Sequence, residues 1–285
     1  MSVTTNGTTQ QTPFGREQRS LDGKRVINYF KDGHVGVIEM CDPPANTYTH
    51  EMMRQLDEAI LDARFDSDVE VIVLTGKGEK FFSAGANIGM LNAVTPEFKY
   101  MFCLHANETL SRLEQTPKLV IAALNGHTVG GGLEIAMAAD IRIARRDAGK
   151  IGLPEVALGV LPGTGGTQRL ARLVGKSRAI ELMVTGKTVS FEQALDWGIV
   201  NEVYEGSADE FRAQILDYAK QFCTPNKAPM AVGHIKRAVQ TGAELPLQDA
   251  LALERELQSL LFKSSDAKEG LAAYNEKRVA KFTNK

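Results

Sequence analysis

The stretch NGHTVGGGLEIAMAADIRIA, Asn125 to Ala144, decides how this chain is read. Three consecutive glycines run straight into an apolar, helix-forming segment that carries one carboxylate, Glu134. Glycines weaken a helix, and a carboxylate facing a core is costly without a partner. Around that conflict the pattern is regular. Leu119–Leu124 reads as a buried strand, Gly132–Ala139 as a helix and Ile141–Ala144 as the next strand.

The same alternation extends outward. Val35–Met40 and Val69–Leu74 have the length and composition of strands. Between them Met52, Met53, Leu56, Ile60 and Ala63 fall at helical spacing, which predicts a helix over Thr49–Arg64 with Thr49 as N-cap. Short strands separated by crossover helices indicate an α/β fold with parallel pairing. No exact internal repeat is present, which leaves room for a structural coil whose turns share no sequence. From about Ser207 the pattern is helical only. Ala250, Leu253, Leu257, Leu260 and Leu261 make an apolar stripe on a helix that starts after Pro246, suited to its own domain or to a second subunit. The expected organisation is a flexible tail over 1–20, an α/β core over 21–206 and a helical region over 207–285.

Bulk properties exclude several classes of function. The chain has 285 residues, 43% hydrophobic and 24% charged, with 33 basic against 35 acidic residues and a net charge of −2. That balance offers no footprint for nucleic acid or an anionic membrane surface. Cys41, Cys103 and Cys223 are few and far apart, so a reduced, cytoplasmic setting is expected rather than a disulfide framework. The first twenty residues lack the apolar core of a signal peptide, and no apolar run has the length of a membrane span.

Phosphate-binding readings of the glycines fail. Gly175-Lys176-Ser177 and Gly186-Lys187-Thr188 mimic the end of a Walker A loop, but Leu170 and Glu181 stand where its first glycine belongs. Ile135 likewise replaces the last glycine of a G-x-G-x-x-G fingerprint begun at Gly130 and Gly132. There is no G-x-S-x-G elbow, and the five histidines show no metal-ligand spacing. Three segments remain. FFSAGAN, Phe81 to Asn87, has small residues that let a ligand approach the backbone. Asn125 to Glu134 turns a strand into a helix whose glycines expose N–H groups at a positive helix end, suited to a developing oxyanion. GLPEVALGVLPGTGGTQRL, Gly152 to Leu170, sets Glu155 directly after Pro154 in a loop.

Together these segments resemble the enoyl-CoA hydratase/isomerase family, the crotonases. FFSAGANI is similar to its F-x-A-G-A-D-[IL] segment, and NGHTVGGGLEIAMAAD to its N-G-x-x-x-G-G-G-x-E-[IL]-A-x-x-x-D segment. GLPEVALGVLPGTGGTQRL is similar to its P-E-x-x-x-G-x-x-P-G-x-G-G-T-Q-R-L block, and EGLAAYNEKRVAKF, from Glu269, to its closing segment. The resemblance runs from about Arg25 to the end. It implies a ββα superhelix with a C-terminal helical trimerisation region, assembled as a homotrimer or a dimer of trimers.

By residue, the resemblance implies that the N–H groups of Ala86 and Gly131 hold a thioester oxygen. Glu134 and Glu155 match the two acid/base glutamates of hydratases, with Glu134 activating water and Glu155 protonating Cα. Ala84, Ala86, Asn87, Ile88 and Gly89 match the loop bordering coenzyme A, and Lys277 a basic residue that reaches a phosphate, often from a neighbouring subunit. Coenzyme A belongs to the thioester substrate, and no metal or other cofactor is implied. Two departures stand out: Asn87 replaces the usual acidic residue, and Gly89 a frequent basic one. The implied reaction is reversible addition of water to an enoyl-CoA. Isomerases keep the oxyanion hole and change the acid/base set, so two intact glutamates favour hydration. RNA binding would need a basic comb, whereas Thr49–Arg64 offers only Arg54 and Arg64 among Glu51, Asp57, Glu58 and Asp62.

Overall fold

The computed structural model describes residues 24–285, so the tail expected over 1–20 lies outside the described residues. The described chain begins with an antiparallel hairpin, β1 (Ile27–Asp32) and β2 (Val35–Met40), followed by α1 (His50–Phe65). Thr49 caps α1, its side chain accepting from Met52 N at 3.2 Å.

Three turns of a coil follow, each with two strands and then a helical segment. The first holds β3 (Val71–Gly76), β4 (Phe81–Ser83), α2 (Ile88–Ala93) and α3 (Pro96–Glu114). The second holds β5 (Leu119–Leu124), β6 (His127–Val129) and α4 (Gly131–Met137). The third holds β7 (Ile141–Arg145), β8 (Ile151–Gly152), a 3-10 turn at Glu155–Leu158, and α5 (Gly166–Val174). After α6 (Lys176–Thr185) and α7 (Phe191–Asp196), β9 (Glu202–Tyr204) closes the large sheet. The helices α8 (Ala208–Lys220), α9 (Pro229–Gly242), α10 (Leu247–Leu261) and α11 (Ser265–Asn275) complete the chain.

First strands of each turn pair in a six-stranded sheet, β1-β2-β3-β5-β7-β9, parallel except for the β1–β2 hairpin. Second strands pair in a separate parallel sheet, β4-β6-β8. This is the ββα order that the resemblance implied, and it adds a second strand per turn to the β-α-β-α alternation read from periodicity. The second strands have only two or three residues each, too few for an alternation to register.

The large sheet is covered on both faces, which is why its central strands read as unbroken apolar runs. Ile38, Met40, Ile72, Leu74, Val120, Ala122 and Leu124 face α1, α3 and α4. The alternate residues Val35, Val37, Val71, Val73, Ile121 and Ile143 face Phe211, Ile215 and Ala219 of α8. Burying each large aliphatic side chain contributes about 1.5–3 kcal/mol. A boundary at Ser207 therefore follows secondary structure but not packing, because α8 belongs to the sheet's core. On α10 the apolar stripe divides: Leu257 is buried, whereas Leu260 stays exposed.

Asp140 ties the end of the second turn to the helical region. One carboxylate oxygen accepts from Val120 N at 2.7 Å and lies 2.8 Å from Lys236 Nζ on α9. Asp140 is thus structural. Arg54 pairs with Glu51 and Glu58 on α1, and Arg64 donates to Thr116, so neither basic residue of that helix forms a comb.

Candidate active site

The glycines of the opening stretch answer to backbone shape and to space. Gly130, just before α4, has φ 56°, a left-handed conformation that only glycine adopts cheaply. A Cβ on Gly131 would lie 2.0 Å from Tyr48 Cε1, and one on Gly132 would lie 2.3 Å from Ser83 O. The start of α4 is thus wedged between the Tyr48 ring and the end of β4. Gly85, at φ 83°, brings the loop after β4 so close that a Cβ there would sit 2.8 Å from Gly131 N.

This packing collects two main-chain donors. Tyr48 N–H donates to Gly85 O at 2.9 Å, and Asn87 N–H donates to Tyr48 O at 3.0 Å. In such a parallel bridge the residue between the two partners, Ala86, turns its own N–H away from Tyr48. Gly131 is the first residue of α4, so its N–H has no acceptor within the helix. Among the described residues neither donor has an acceptor, and the two lie on segments in direct contact.

Glu134 stands one turn into α4 and is 2% exposed. Its Oε1 accepts from Thr164 N at 2.7 Å and from Gly166 N at 2.8 Å, at the N-terminus of α5. Burial pushes the carboxyl group's pKa up, and these two N–H groups favour its ionised form. Glu155, at the start of the 3-10 turn, is held differently. Its Oε1 would lie 3.0 Å from a Cβ on Gly130, while its Oε2 is buried with no hydrogen-bond partner among the described residues. Burial, and secondly the charge of Glu134, push Glu155 up to about 7. Two carboxyl groups thus face one site under unequal support: two N–H groups favour the ionised form of Glu134, whereas Glu155 is pushed up to about 7.

Around them stand residues that the sequence did not single out. Tyr48 is buried, and its hydroxyl lies 3.0 Å from Thr164 Oγ1; burial and the neighbouring Glu134 push its pKa up and keep the phenol protonated. Its ring packs on Phe102, with centroids 5.7 Å apart. Thr164 and Gly166 carried a usable signal, since Gly163-Thr164-Gly165-Gly166 precedes a helical pattern and exposes N–H groups at a helix start. Tyr48 carried none; only the fold brings it to Gly131.

The loop residues divide. Ala84 N–H donates to Ala45 O at 3.0 Å, and Asn87 is the N-cap of α2, its Oδ1 accepting from Met90 N at 2.9 Å. Ile88 and Gly89 are exposed on the rim. Lys277 sits beyond α11 with φ 55°, exposed, and no hydrogen bond or ion pair among the described residues joins it to this site. No group of three His, Cys, Asp or Glu residues suited to a metal ion occurs among the described residues.

Buried paired carboxyl groups beside uncommitted N–H donors, built on a two-sheet coil, define a protein equipped for acid–base chemistry next to a carbonyl oxygen. The chain belongs to the enoyl-CoA hydratase/isomerase family, whose model matches residues 31–285. It is 39% identical to a short-chain-enoyl-CoA hydratase of Clostridium acetobutylicum, over 87% of this chain and 94% of that one. It is 37% identical to a probable enoyl-CoA hydratase of Bacillus subtilis, over 90% and 98% respectively. A solved structure of an enoyl-CoA hydratase from Geobacillus kaustophilus superposes with a TM-score of 0.88 at 46% identity, covering 92% of this chain and 98% of that one.

Proposed function

We propose that this protein is a hydro-lyase that adds water reversibly across the α,β-double bond of an enoyl-CoA thioester. The observation that carries the reading is the unequal support of Glu134 and Glu155 on one site. The thioester oxygen lies between the N–H groups of Ala86 and Gly131, where negative charge develops as the double bond is attacked. Losing one such donor typically costs about 3–4 kcal/mol in the transition state. Glu134, ionised, takes a proton from water as its oxygen bonds to Cβ. Glu155, protonated, delivers its proton to Cα as the enolate collapses. One proton is taken up and one is released, so the pair must exchange a proton before the next turnover. Isomerisation needs only a proton moved along the acyl chain and gives no use to a second, differently supported carboxyl group.

Ala84, Ala86, Asn87, Ile88 and Gly89 border the coenzyme A in this reading, and Lys277 reaches a phosphate from a neighbouring subunit. A homotrimer or a dimer of trimers is the proposed assembly, and exposed Ile235, Val239, Leu247, Phe262 and Leu271 on α9–α11 support it. Three unbridged cysteines fit a cytoplasmic setting. Among the described residues no helix is long and apolar enough to cross a membrane.

The test is hydration of crotonyl-CoA, followed by loss of the enoyl absorbance. Glu134→Gln and Glu155→Gln should each lower kcat by about 10²–10⁴-fold, the usual worth of a positioned acid or base. A near wild-type rate in either variant rejects the assignment.

A further inference from the structure

Lys99 is a cation next to this site that the hydration chemistry does not use. It lies on α3 in the row Lys99, Cys103 and Asn107, spaced four residues apart and therefore on one helix face. The two C-terminal members of that row touch the loop that holds Glu134. Cys103 Sγ would lie 3.3 Å from a Cβ on Gly163, and Asn107 Nδ2 donates to Gly163 O at 3.5 Å. Lys99 continues the row by one turn beyond that loop. Its ammonium lies 5.2 Å from the centroid of the Phe102 ring, which packs against the Tyr48 ring beside Gly131.

The half-buried ammonium has no carboxylate partner among the described residues. Lys99 is nevertheless close enough for its charge to favour the ionised forms of both Glu134 and Glu155. Beside the same aromatic cluster lie His50 and His105, ring centroids 5.5 Å apart, and the Nδ1 of His105 is buried without a partner among the described residues. Among the described residues the Tyr48–Phe102 side of the site thus ends in a cation with no carboxylate partner. A plain hydrocarbon tail would offer that cation none.

We propose that Lys99 is a specificity-determining residue that binds a carboxylate at the far end of the acyl chain, so that the preferred substrates are enoyl-CoA thioesters of dicarboxylic acids. This rests on the hydratase reading, with the thioester oxygen at Ala86 and Gly131 and the tail running past Glu134 towards Phe102. An ammonium–carboxylate contact on an aromatic surface, partly shielded from water, discriminates more than the same pair in solvent.

The test compares kcat/KM for two matched pairs of thioesters: trans-2-hexenedioyl-CoA against trans-2-hexenoyl-CoA, and glutaconyl-CoA against trans-2-pentenoyl-CoA. Two tail lengths prevent a mismatched reach from hiding the effect. Wild-type protein should prefer the carboxylate member of at least one pair by roughly tenfold or more, the worth of one charge-assisted hydrogen bond. Lys99→Met should abolish that preference, and Lys99→Arg should retain most of it. The ratio within a pair cancels any common effect of the lysine's charge on the two glutamates. Wild-type turnover of the neutral members with no preference in either pair overturns the proposal and leaves the hydratase reading standing. A preference that survives in Lys99→Met overturns it as well. If wild-type protein hydrates crotonyl-CoA but none of the four, the proposal falls and the hydratase reading stands; if it hydrates none of the five, both fall.

Discussion

Glu134 and Glu155 carry the same side chain, face the same site and come from consecutive turns of the coil, yet their surroundings differ in kind. Glu134 is closed off from solvent, and two N–H groups at the start of α5 meet one of its oxygens. Glu155 stands on a 3-10 turn with one buried oxygen that no described residue satisfies. In the proposed mechanism the roles of base and acid follow from these supports rather than from the residue type. The proposed donors are alike in this, since Ala86 and Gly131 would act through where their N–H groups point and not through their side chains.

The largest effect that tests this division comes from Gly131→Ala. The new Cβ would fall 2.0 Å from the Tyr48 ring, so either the ring or the start of α4 must move. We expect kcat/KM for crotonyl-CoA to fall by about 10²–10³-fold, as when an oxyanion donor is lost. A variant within threefold of wild type would show that the N–H of Gly131 is not a donor to the thioester.

An intermediate effect concerns pH. The proposed mechanism requires Glu155 protonated for hydration, and its pKa is raised to about 7 by burial and by Glu134. In the free enzyme kcat/KM for hydration should therefore fall above about pH 7, about tenfold per unit once the proton is gone. Stability changes in the same direction. Because the folded pKa is raised from 4.5, the native chain binds this proton more tightly than the unfolded chain. The contribution is fully present below pH 4.5 and is lost as pH rises to about 7. Glu155→Gln should remove that part of the slope in a Tm-versus-pH series, and an unchanged slope would contradict the shift.

Tyr48→Phe should give the smallest effect. The hydroxyl meets Thr164 Oγ1, next to the N–H that holds Glu134, but the ring's packing against Gly131 and Phe102 is kept. A loss of about 0.5–1.5 kcal/mol in stability and under tenfold in kcat is expected, the worth of one neutral hydrogen bond. A loss of a hundredfold or more would instead make the phenol a direct participant in the chemistry.

Much of this site was legible in the sequence because its chemistry is written locally. Gly130 and Gly131, Glu134 and the GTGG start of α5 each lie in a short motif whose residue types follow from backbone exposure at helix starts. Central strands were legible because burial on both faces makes them continuous apolar runs. What stayed hidden depends on distance in sequence. Tyr48 reaches Gly131 from the loop before α1, and Lys99 reaches the site only because α3 packs against the loop that holds Glu134. The small sheet stayed hidden for another reason: Phe81–Ser83, His127–Val129 and Ile151–Gly152 are too short to carry a period. Asn87 is a departure that the fold absorbs, since an amide oxygen caps α2 without needing a charge.

In the proposed mechanism Glu155 holds the proton at rest while Glu134 is ionised. Carbon-13 NMR of protein labelled at the glutamate side-chain carboxyl carbon, titrated from pH 4 to 9, tests it directly. One buried carboxyl group should titrate near pH 7 in wild-type protein, be absent in Glu155→Gln, and titrate at lower pH in Glu134→Gln because the neighbouring charge is gone. A titration near pH 7 that persists in Glu155→Gln and disappears in Glu134→Gln would assign the resting proton to the other carboxyl group and contradict the account.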